Sequence, residues 1–133
     1  MSHKARDYMS KNFLTFTPEM DILEAVGQLV DKNYAGGFVV DKLGTLVGVL
    51  SEVDALKSAI HGAYHASWGG SVADMMRTEF STVDVDDSLM HVAKMFVDGD
   101  RYYYRGFPVM KHNRVVGRIT LRDVLRALQE MSR

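Results

Sequence analysis

The chain contains no cysteine and only two prolines, Pro18 and Pro108. The lack of cysteine excludes disulfides, thiolate metal sites and cysteine nucleophiles. The scarcity of proline, together with the lack of any low-complexity segment, argues against long disordered linkers. With 133 residues, of which 47% are hydrophobic, the chain is long enough to bury a core of its own.

Long apolar runs and an excess of charge of one sign are also missing. No stretch approaches the roughly 18 apolar residues of a membrane-spanning helix, and no apolar run of a secretory signal follows the first residues. The 16 basic and 17 acidic side chains leave a formal net charge of −1, whereas nucleic-acid-binding proteins usually carry a basic excess. We therefore expect a cytoplasmic protein that binds neither membrane nor nucleic acid.

What the sequence does contain is an internal repeat. Residues 6–34 align with residues 73–101 at an offset of 67, and residues 37–57 align with residues 106–126 at an offset of 69. This alignment gives the second copy two extra residues, within 101–105. A repeat of this length indicates that the chain consists of two copies of one structural unit.

Both copies have the same order of predicted elements. Apolar residues at helical spacing predict a helix that contains Ile22, Val26, Leu29 and Val30 in the first copy and one that begins near Leu89 in the second. A β-hairpin follows in each copy, and then a closing helix, over residues 52–61 and 121–131. The order is β-α-β-β-α twice, which predicts an α+β fold of two repeats packed with pseudo-two-fold symmetry.

The domain boundaries follow from the repeat. We predict a first repeat over residues 1–62, a linker over 63–71 and a second repeat over 72–133, together forming one compact module. The linker is rich in glycine and small residues and contains Trp68. We expect Trp68 to pack between the copies; contact with a ligand or a partner is the alternative.

A Ser/Thr-x-x-Asp motif follows a predicted strand in each copy, as Ser51 to Asp54 and as Thr120 to Asp123. One interpretation is a helix start in which the hydroxyl and the carboxylate cap backbone N–H groups. The other is a nucleotide site, because a helix N-terminus attracts phosphate and a carboxylate accepts hydrogen bonds from ribose hydroxyls. The two interpretations do not exclude each other.

With these motifs, the chain resembles a tandem pair of cystathionine-β-synthase (CBS) domains, a Bateman module, over residues 4–131. The segments that carry the resemblance are Asp7-Tyr-Met9, Asp74-Met-Met76, Gly37-Phe-Val-Val-Asp41, Gly106-Phe-Pro-Val109 and the doubled Gly-x-x-Ser/Thr-x-x-Asp. The resemblance implies a free-standing regulatory module that is not an enzyme and has no metal or obligatory cofactor. It also implies that AMP, ADP, ATP or S-adenosylmethionine binds as a regulatory ligand in clefts between the copies.

Carried over residue by residue, the resemblance implies two composite clefts. The first contains Thr17, Ile22, Ala35, Gly36, Arg118, Thr120, Arg122 and Asp123. The second contains Val49, Ser51, Asp54, Asp84, Leu89, Tyr104 and Arg105. Arg118 stands where the family usually offers adenine an apolar surface, while Asp84 and Glu52 add negative charge to the second cleft. We expect the first cleft to be the better nucleotide site.

The resemblance further implies a homodimer and a regulated partner protein, because family members usually pair two modules through their closing helices. The candidate dimer face contains Leu56, Ile60, Leu125 and Leu128. The alternative function is a ligand-free scaffold for protein interaction or dimerisation, in which the Ser/Thr-x-x-Asp motifs are helix caps alone.

Overall fold

A computed structural model describes residues 3–64, 69–99 and 106–133. Tyr104, Arg105 and Trp68 lie outside the described residues. The elements in chain order are α1 (Ala5–Tyr8), β1 (Thr15–Phe16), α2 (Ile22–Lys32), β2 (Gly36–Val40), β3 (Leu46–Ser51), α3 (Glu52–Tyr64), α4 (Val72–Met75), β4 (Val83–Asp84), α5 (Leu89–Asp98), β5 (Gly106–Lys111), β6 (Arg114–Thr120) and α6 (Leu121–Met131). The predicted β-α-β-β-α order and the α+β class are confirmed, and each copy opens with a short helix, α1 or α4. Helix α3 continues to Tyr64, into the predicted linker.

The strands form two three-stranded sheets of the same topology, β1-β2-β3 and β4-β5-β6. The first strand of each sheet runs parallel to the second, and the second runs antiparallel to the third. A parallel pair needs a crossover, and helices α2 and α5 provide it. Antiparallel neighbours need only a short turn, which joins β2 to β3 and β5 to β6.

The compact units of the structure differ from the repeats of the sequence. Unit 1 combines the segment that ends at Asn12 with Ser81–Arg133, and unit 2 is Phe13–Phe80. The opening helix of each repeat therefore packs in the unit that contains the sheet of the other repeat.

Equivalent backbone hydrogen bonds hold the two opening helices. In unit 1, Arg6 N donates to Val85 O at 3.0 Å, and in unit 2 the equivalent Ala73 N donates to Pro18 O at 2.9 Å. Because these bonds use only backbone groups, they form in both units although the side chains of Arg6 and Ala73 differ.

Two glycines allow the opening segments to approach the sheets. A Cβ atom on Gly48 would lie 2.4 Å from Met76 Sδ, and one on Gly117 would lie 2.5 Å from Met9 Sδ. Contacts this short are incompatible with a side chain unless the methionine moves. The glycine before each Ser/Thr-x-x-Asp motif therefore has a packing role within its own unit.

Each unit has its own apolar core. The buried core of unit 1 contains Ala5, Val83, Val85, Leu89, Val92, Phe107, Val109, Ile119, Val124 and Ala127. The buried core of unit 2 contains Leu14, Phe16, Ile22, Ala25, Leu29, Val39, Leu50, Ala55 and Val72. Ala5 and Val72, from the opening helices, belong to these cores with no exposed surface. The opening helices are thus integral parts of the units in which they pack.

The strand register corrects the repeat alignment by one residue. Gly36 pairs with Ser51, and Gly106 pairs with Thr120. Gly106 is therefore the structural equivalent of Gly36 and not of Gly37. The identity of two glycines favoured the wrong register in the sequence comparison, although a one-residue shift moves every side chain to the opposite face of a strand.

The hairpin turns compensate for this shift, because the second turn is shorter. His112 and Asn113 alone connect the paired residues Lys111 and Arg114, and both have positive φ angles, of 52° and 63°. Positive φ at both central residues is what a type I′ hairpin turn requires. The longer turn of the first hairpin instead contains Gly44, with φ at 83°.

Candidate functional site

The second Ser/Thr-x-x-Asp motif lies where β6 ends and α6 begins. Thr120 Oγ1 accepts a hydrogen bond from Asp123 N at 3.2 Å. Asp123 Oδ2 in turn accepts from Thr120 N at 2.8 Å and from Thr120 Oγ1 at 2.9 Å. Asp123 is buried, with 7% of its surface exposed. These bonds form a complete capping box.

The first motif has the same hydroxyl cap at the junction of β3 and α3. Ser51 Oγ accepts from Asp54 N at 3.1 Å and donates to Asp54 Oδ2 at 2.9 Å. Asp54 is 9% exposed. The helix-cap interpretation is therefore confirmed for both motifs.

The arginine that faces the carboxylate differs between the motifs. Asp123 Oδ1 accepts from Arg126 Nη2 at 2.6 Å; this arginine belongs to the same helix, and its side chain is 55% exposed. Asp54 instead accepts from Arg77, with Nε 3.1 Å from Oδ2 and Nη2 3.3 Å from Oδ1. The Arg77 side chain is 30% exposed and that of Asp54 is 10% exposed. Asp54 is thus held by a two-point ion pair with lower solvent access.

Arg77 reaches Asp54 because its backbone pairs with the strand that leads into the motif. Arg77 N donates to Val49 O at 2.9 Å, and Val49 N donates to Arg77 O at 3.0 Å. In unit 1 the equivalent pair is Ser10 and Arg118, with bonds of 2.8 and 2.9 Å. Each unit therefore has one arginine in this pair, on the strand in unit 1 and on the opposing segment in unit 2.

We call Val49, Ser51, Asp54 and Arg77 the Asp54 corner, and Ser10, Arg118, Thr120 and Asp123 the Asp123 corner. Arg77 and Ser10 were not among the residues that the sequence singled out. The repeat alignment contained the signal, since its offset of 67 matches Arg77 with Ser10. Only the structure places either residue beside a Ser/Thr-x-x-Asp motif.

The other residues predicted for the first cleft are divided between the units. Arg122 is exposed at the start of α6 in unit 1. In unit 2, Thr17 is exposed after β1, whereas Ile22 is a core residue at 3% exposure. Ala35 and Gly36 lie next to the Asp54 corner, because Ala35 O accepts from Glu52 N at 2.9 Å and Gly36 pairs with Ser51.

The residues predicted for the second cleft are divided as well. Val49, Ser51 and Asp54 lie together in unit 2. Leu89, in unit 1, is 2% exposed and belongs to the core. Asp84 is exposed at the end of β4, and its Oδ1 accepts from Asp86 N at 2.9 Å. The composite clefts themselves stay a prediction.

A charged pair links the opening helix of unit 1 to the loop before α5. Asp86 Oδ1 accepts a hydrogen bond from Arg6 Nη2 and lies 3.5 Å from Lys4 Nζ. The hydrogen bond from Arg6, and then the charges of Arg6 and Lys4, lower the pKa of Asp86 below its ordinary value. In unit 2 the residues at the positions of Arg6 and Asp86 are Ala73 and Glu19.

Apolar side chains are exposed on the outer helices of both units. In unit 2, helices α2 and α3 border a groove of about 630 Å³ that Leu23, Val53 and Leu56 help to line. Leu56 and Ile60 are 60% and 53% exposed. In unit 1, Leu121, Leu125 and Leu128 of α6 are exposed too. The four residues predicted for a dimer face are therefore accessible within their units.

Within the described ranges, no group of three or more histidine, aspartate or glutamate side chains is arranged to hold a metal ion. In the same part of the chain, no helix combines the length and apolar character needed to cross a bilayer.

The structure is similar to solved structures of CBS-domain pairs. CBSX2 from Arabidopsis thaliana, crystallised with AMP, matches at a TM-score of 0.83 and 25% identity over 98% of this chain and 99% of that chain. The CBS-domain pair of protein MJ0100, in complex with 5-methylthioadenosine and S-adenosyl-L-methionine, matches at 0.79 and 27% identity over 98% and 99%. The cytosolic domain of the Mg²⁺ channel MgtE, in complex with ATP, matches at 0.77 and 26% over 94% and 48%.

The sequence is also similar to longer curated proteins of Methanocaldococcus jannaschii. One is the uncharacterised protein MJ1404, which is 28% identical over 98% of this chain and 33% of that protein. Another is L-aspartate semialdehyde sulfurtransferase, 28% identical over 91% of this chain and 22% of the enzyme. The chain spans between about a fifth and three fifths of the curated relatives it matches.

The family model described as "CBS domain" matches the chain twice, at residues 5–61 and 72–130. These matches span most of the chain, and they agree with the doubled β-α-β-β-α order of the structure. The chain therefore belongs to the CBS domain family and carries two copies of the domain.

Proposed function

We propose that this chain is a regulatory module that binds an adenosine ligand, AMP, ADP, ATP or S-adenosylmethionine, at the Asp123 corner. The observation that carries the proposal is the structural similarity to CBSX2, which covers 98% of this chain. CBSX2 was crystallised in complex with AMP. The buried carboxylate beside the N-terminus of α6 supplies a matching chemistry within this chain.

Two properties of the Asp123 corner support a nucleotide. The N-terminus of α6 favours negative charge, and the exposed Arg122 adds a cation beside it. Asp123 is an acceptor for the two ribose hydroxyls once the contact with Arg126 opens. That contact joins an exposed arginine to a buried carboxylate within one helix, and ribose hydroxyls that replace Arg126 keep the carboxylate hydrogen-bonded.

The regulatory output follows from differential binding. A ligand changes the state of a module only by binding one conformation more tightly than another. We infer that the output goes to a partner protein in the cytoplasm, that the module is a homodimer, and that it catalyses no reaction itself. The exposed leucines of α3 and α6 support the dimer, because large apolar patches on a protein surface usually mark interaction sites.

A thermal-shift experiment tests ligand binding. We expect one or more of AMP, ADP, ATP and S-adenosylmethionine to raise the melting temperature. At 100 times its dissociation constant a ligand adds about 2.7 kcal/mol, which corresponds to a rise of about 10 °C for a domain of this size. Asp123→Ala is expected to abolish the rise, and Asp54→Ala, which removes the matched carboxylate, is expected to retain it.

The second candidate is a ligand-free scaffold. It is favoured by the capping bonds and arginine contacts that both carboxylates already make within their own units. A scaffold predicts no thermal shift with any of the four ligands at millimolar concentration, while the wild-type oligomer persists. That outcome would replace the sensor as the proposed function.

A further inference from the structure

We propose that Arg77 locks the Asp54 corner, so that Asp54 is closed to the sugar of an adenosine ligand and the chain takes such a ligand at the Asp123 corner alone. This inference rests on the proposed function, because it states which of the two corners binds the adenosine ligand. The side chain of Arg77 prevents binding at this corner, because it occupies the Asp54 carboxylate that the ligand would use.

Arg77 occupies acceptor positions on both oxygens of Asp54. Oδ1 accepts from Arg77 Nη2, while Oδ2 accepts from Arg77 Nε and from Ser51 Oγ. The guanidinium thus lies across both oxygens of the carboxylate. A pair of ribose hydroxyls needs the same two oxygens, because a vicinal diol also approaches a carboxylate with two donors side by side.

Arg77 is also difficult to displace from Asp54. Its backbone is fixed to Val49 by two hydrogen bonds, and its side chain is largely buried against Asp54. Moving the guanidinium away would leave the Asp54 carboxylate buried without its cation, which is strongly unfavourable. Arg126 differs in its side chain, which is 55% exposed and donates to Oδ1 of Asp123 alone, so it leaves its carboxylate more readily than Arg77 does.

Unit 1 has no arginine at the position that Arg77 occupies in unit 2. Ser10 occupies the position of Arg77 in unit 1, with the same two-way backbone pairing to the strand. The side chain of Ser10 is too short to span a carboxylate as a guanidinium does, and its Oγ contacts Asn12 instead. The two corners share the capping geometry and differ in this lock.

The experiment counts binding sites for AMP by isothermal titration calorimetry on the full chain. Wild type is expected to bind one AMP per chain. Arg77→Ser, which copies the residue of unit 1, is expected to bind two. The reciprocal variant Ser10→Arg is expected to weaken binding at the Asp123 corner at least about tenfold, the effect of losing a hydrogen bond to a charged group.

Circular dichroism melts accompany each titration. If Arg77→Ser does not fold, Ser10→Arg decides, because it adds a side chain at a partly exposed position and leaves the Asp54 ion pair intact. The proposal is overturned if wild type binds two AMP molecules. It is also overturned if folded Arg77→Ser gains no site, or loses affinity because Arg77 binds phosphate.

Failure of the proposed function has a different signature. If wild type binds no AMP, that function is contradicted for this ligand, and Arg77→Ser then tests the lock alone. A site that appears in Arg77→Ser and disappears in the double variant with Asp54→Ala would support the lock even so. No site in either protein would overturn both.

Discussion

The Asp54 corner and the Asp123 corner have the same motif, the same hydroxyl cap and nearly the same burial, yet different cations face their carboxylates. At the Asp123 corner the cation is Arg126, three residues further along the same helix. At the Asp54 corner it is Arg77, which is 23 residues away in the chain. A short motif therefore determines the geometry of its own helix start, whereas the chemistry available there depends on the segment that packs against it.

The exchange of opening segments decides which corner receives the arginine. Arg77 belongs to the second repeat by sequence but to unit 2 by packing, and Ser10 belongs to the first repeat but to unit 1. Each Ser/Thr-x-x-Asp motif thus meets a residue from the other copy of the repeat. Substitutions in the opening segments are expected to change one corner at a time and to leave the hydroxyl caps of Ser51 and Thr120 intact.

The largest expected change concerns the proposed dimer, and it compares the closing helices of the units. Leu125→Glu in α6 is expected to convert the dimer fully to a monomer, because a charge in an apolar interface loses its hydration. Light scattering at several concentrations measures the mass. Leu56→Glu makes the matched change in α3. An unchanged mass in both variants would exclude these helices as the dimer face.

The next change compares the two cores at equivalent strand positions. Phe16 and Val83 are 1% and 0% exposed. Phe16→Ala is expected to lower the free energy of unfolding by about 3–5 kcal/mol, because a buried aromatic ring leaves a large cavity. Val83→Ala removes only two methyl groups and should cost about 2 kcal/mol. Urea unfolding measures both; equal losses would contradict the ranking.

A smaller difference in stability is expected between the variants of the arginines that pair with Asp54 and Asp123. Arg77→Ala leaves Asp54 buried without a cation, so the free energy of unfolding should fall by about 1–3 kcal/mol. Arg126→Ala removes an exposed partner and should change it by less than about 1 kcal/mol. Urea unfolding at neutral pH compares the two variants. A larger loss for Arg126→Ala would show that exposure does not rank the two pairs.

The smallest effect concerns Asp86, where unit 1 has Arg6 and unit 2 has Ala73. Arg6→Ala copies unit 2 and is expected to raise the pKa of Asp86 back toward its ordinary value of 3.8. Because the folded state lowers this pKa, the pair stabilises the fold above about pH 4 and loses that contribution as the pH falls through the folded-state pKa. An NMR titration of the Asp86 carboxyl measures the shift; an unchanged pKa would contradict the role of Arg6.

Much of the fold followed from the sequence because the repeat supplies each signal twice. The helices that begin at Ile22 and Leu89, the two hairpins and the closing helices were all predicted from apolar spacing and turn residues. The exception was the register of β5, where matching Gly106 with Gly37 misplaced the strand by one residue. Register depends on pairing with β6 and on the length of the hairpin turn, and neither is encoded in a single strand.

The candidate site, too, was predicted only where its contacts are local in the sequence. The capping interactions of Ser51 with Asp54 and of Thr120 with Asp123 are local, so residues three apart were enough to predict them. The Arg77–Asp54 pair is not local, and its two residues are joined only when Arg77 pairs with Val49. Ile22 and Leu89 were predicted to contact a ligand. The structure places both in the apolar cores of their units, and their contact with a ligand stays a prediction.

The sequence by itself determined the number of repeats, the order of the elements and the helix starts, because each depends on residues close together in the chain. Only the tertiary structure decided which opening helix packs with which sheet. The backbone bonds and the glycine contacts that hold an opening segment are equivalent in the two units. These local contacts therefore do not distinguish one opening segment from the other. That choice places Arg77 beside Asp54 and Ser10 in the matching position of unit 1, and so decides which of the two nearly identical motifs receives the arginine.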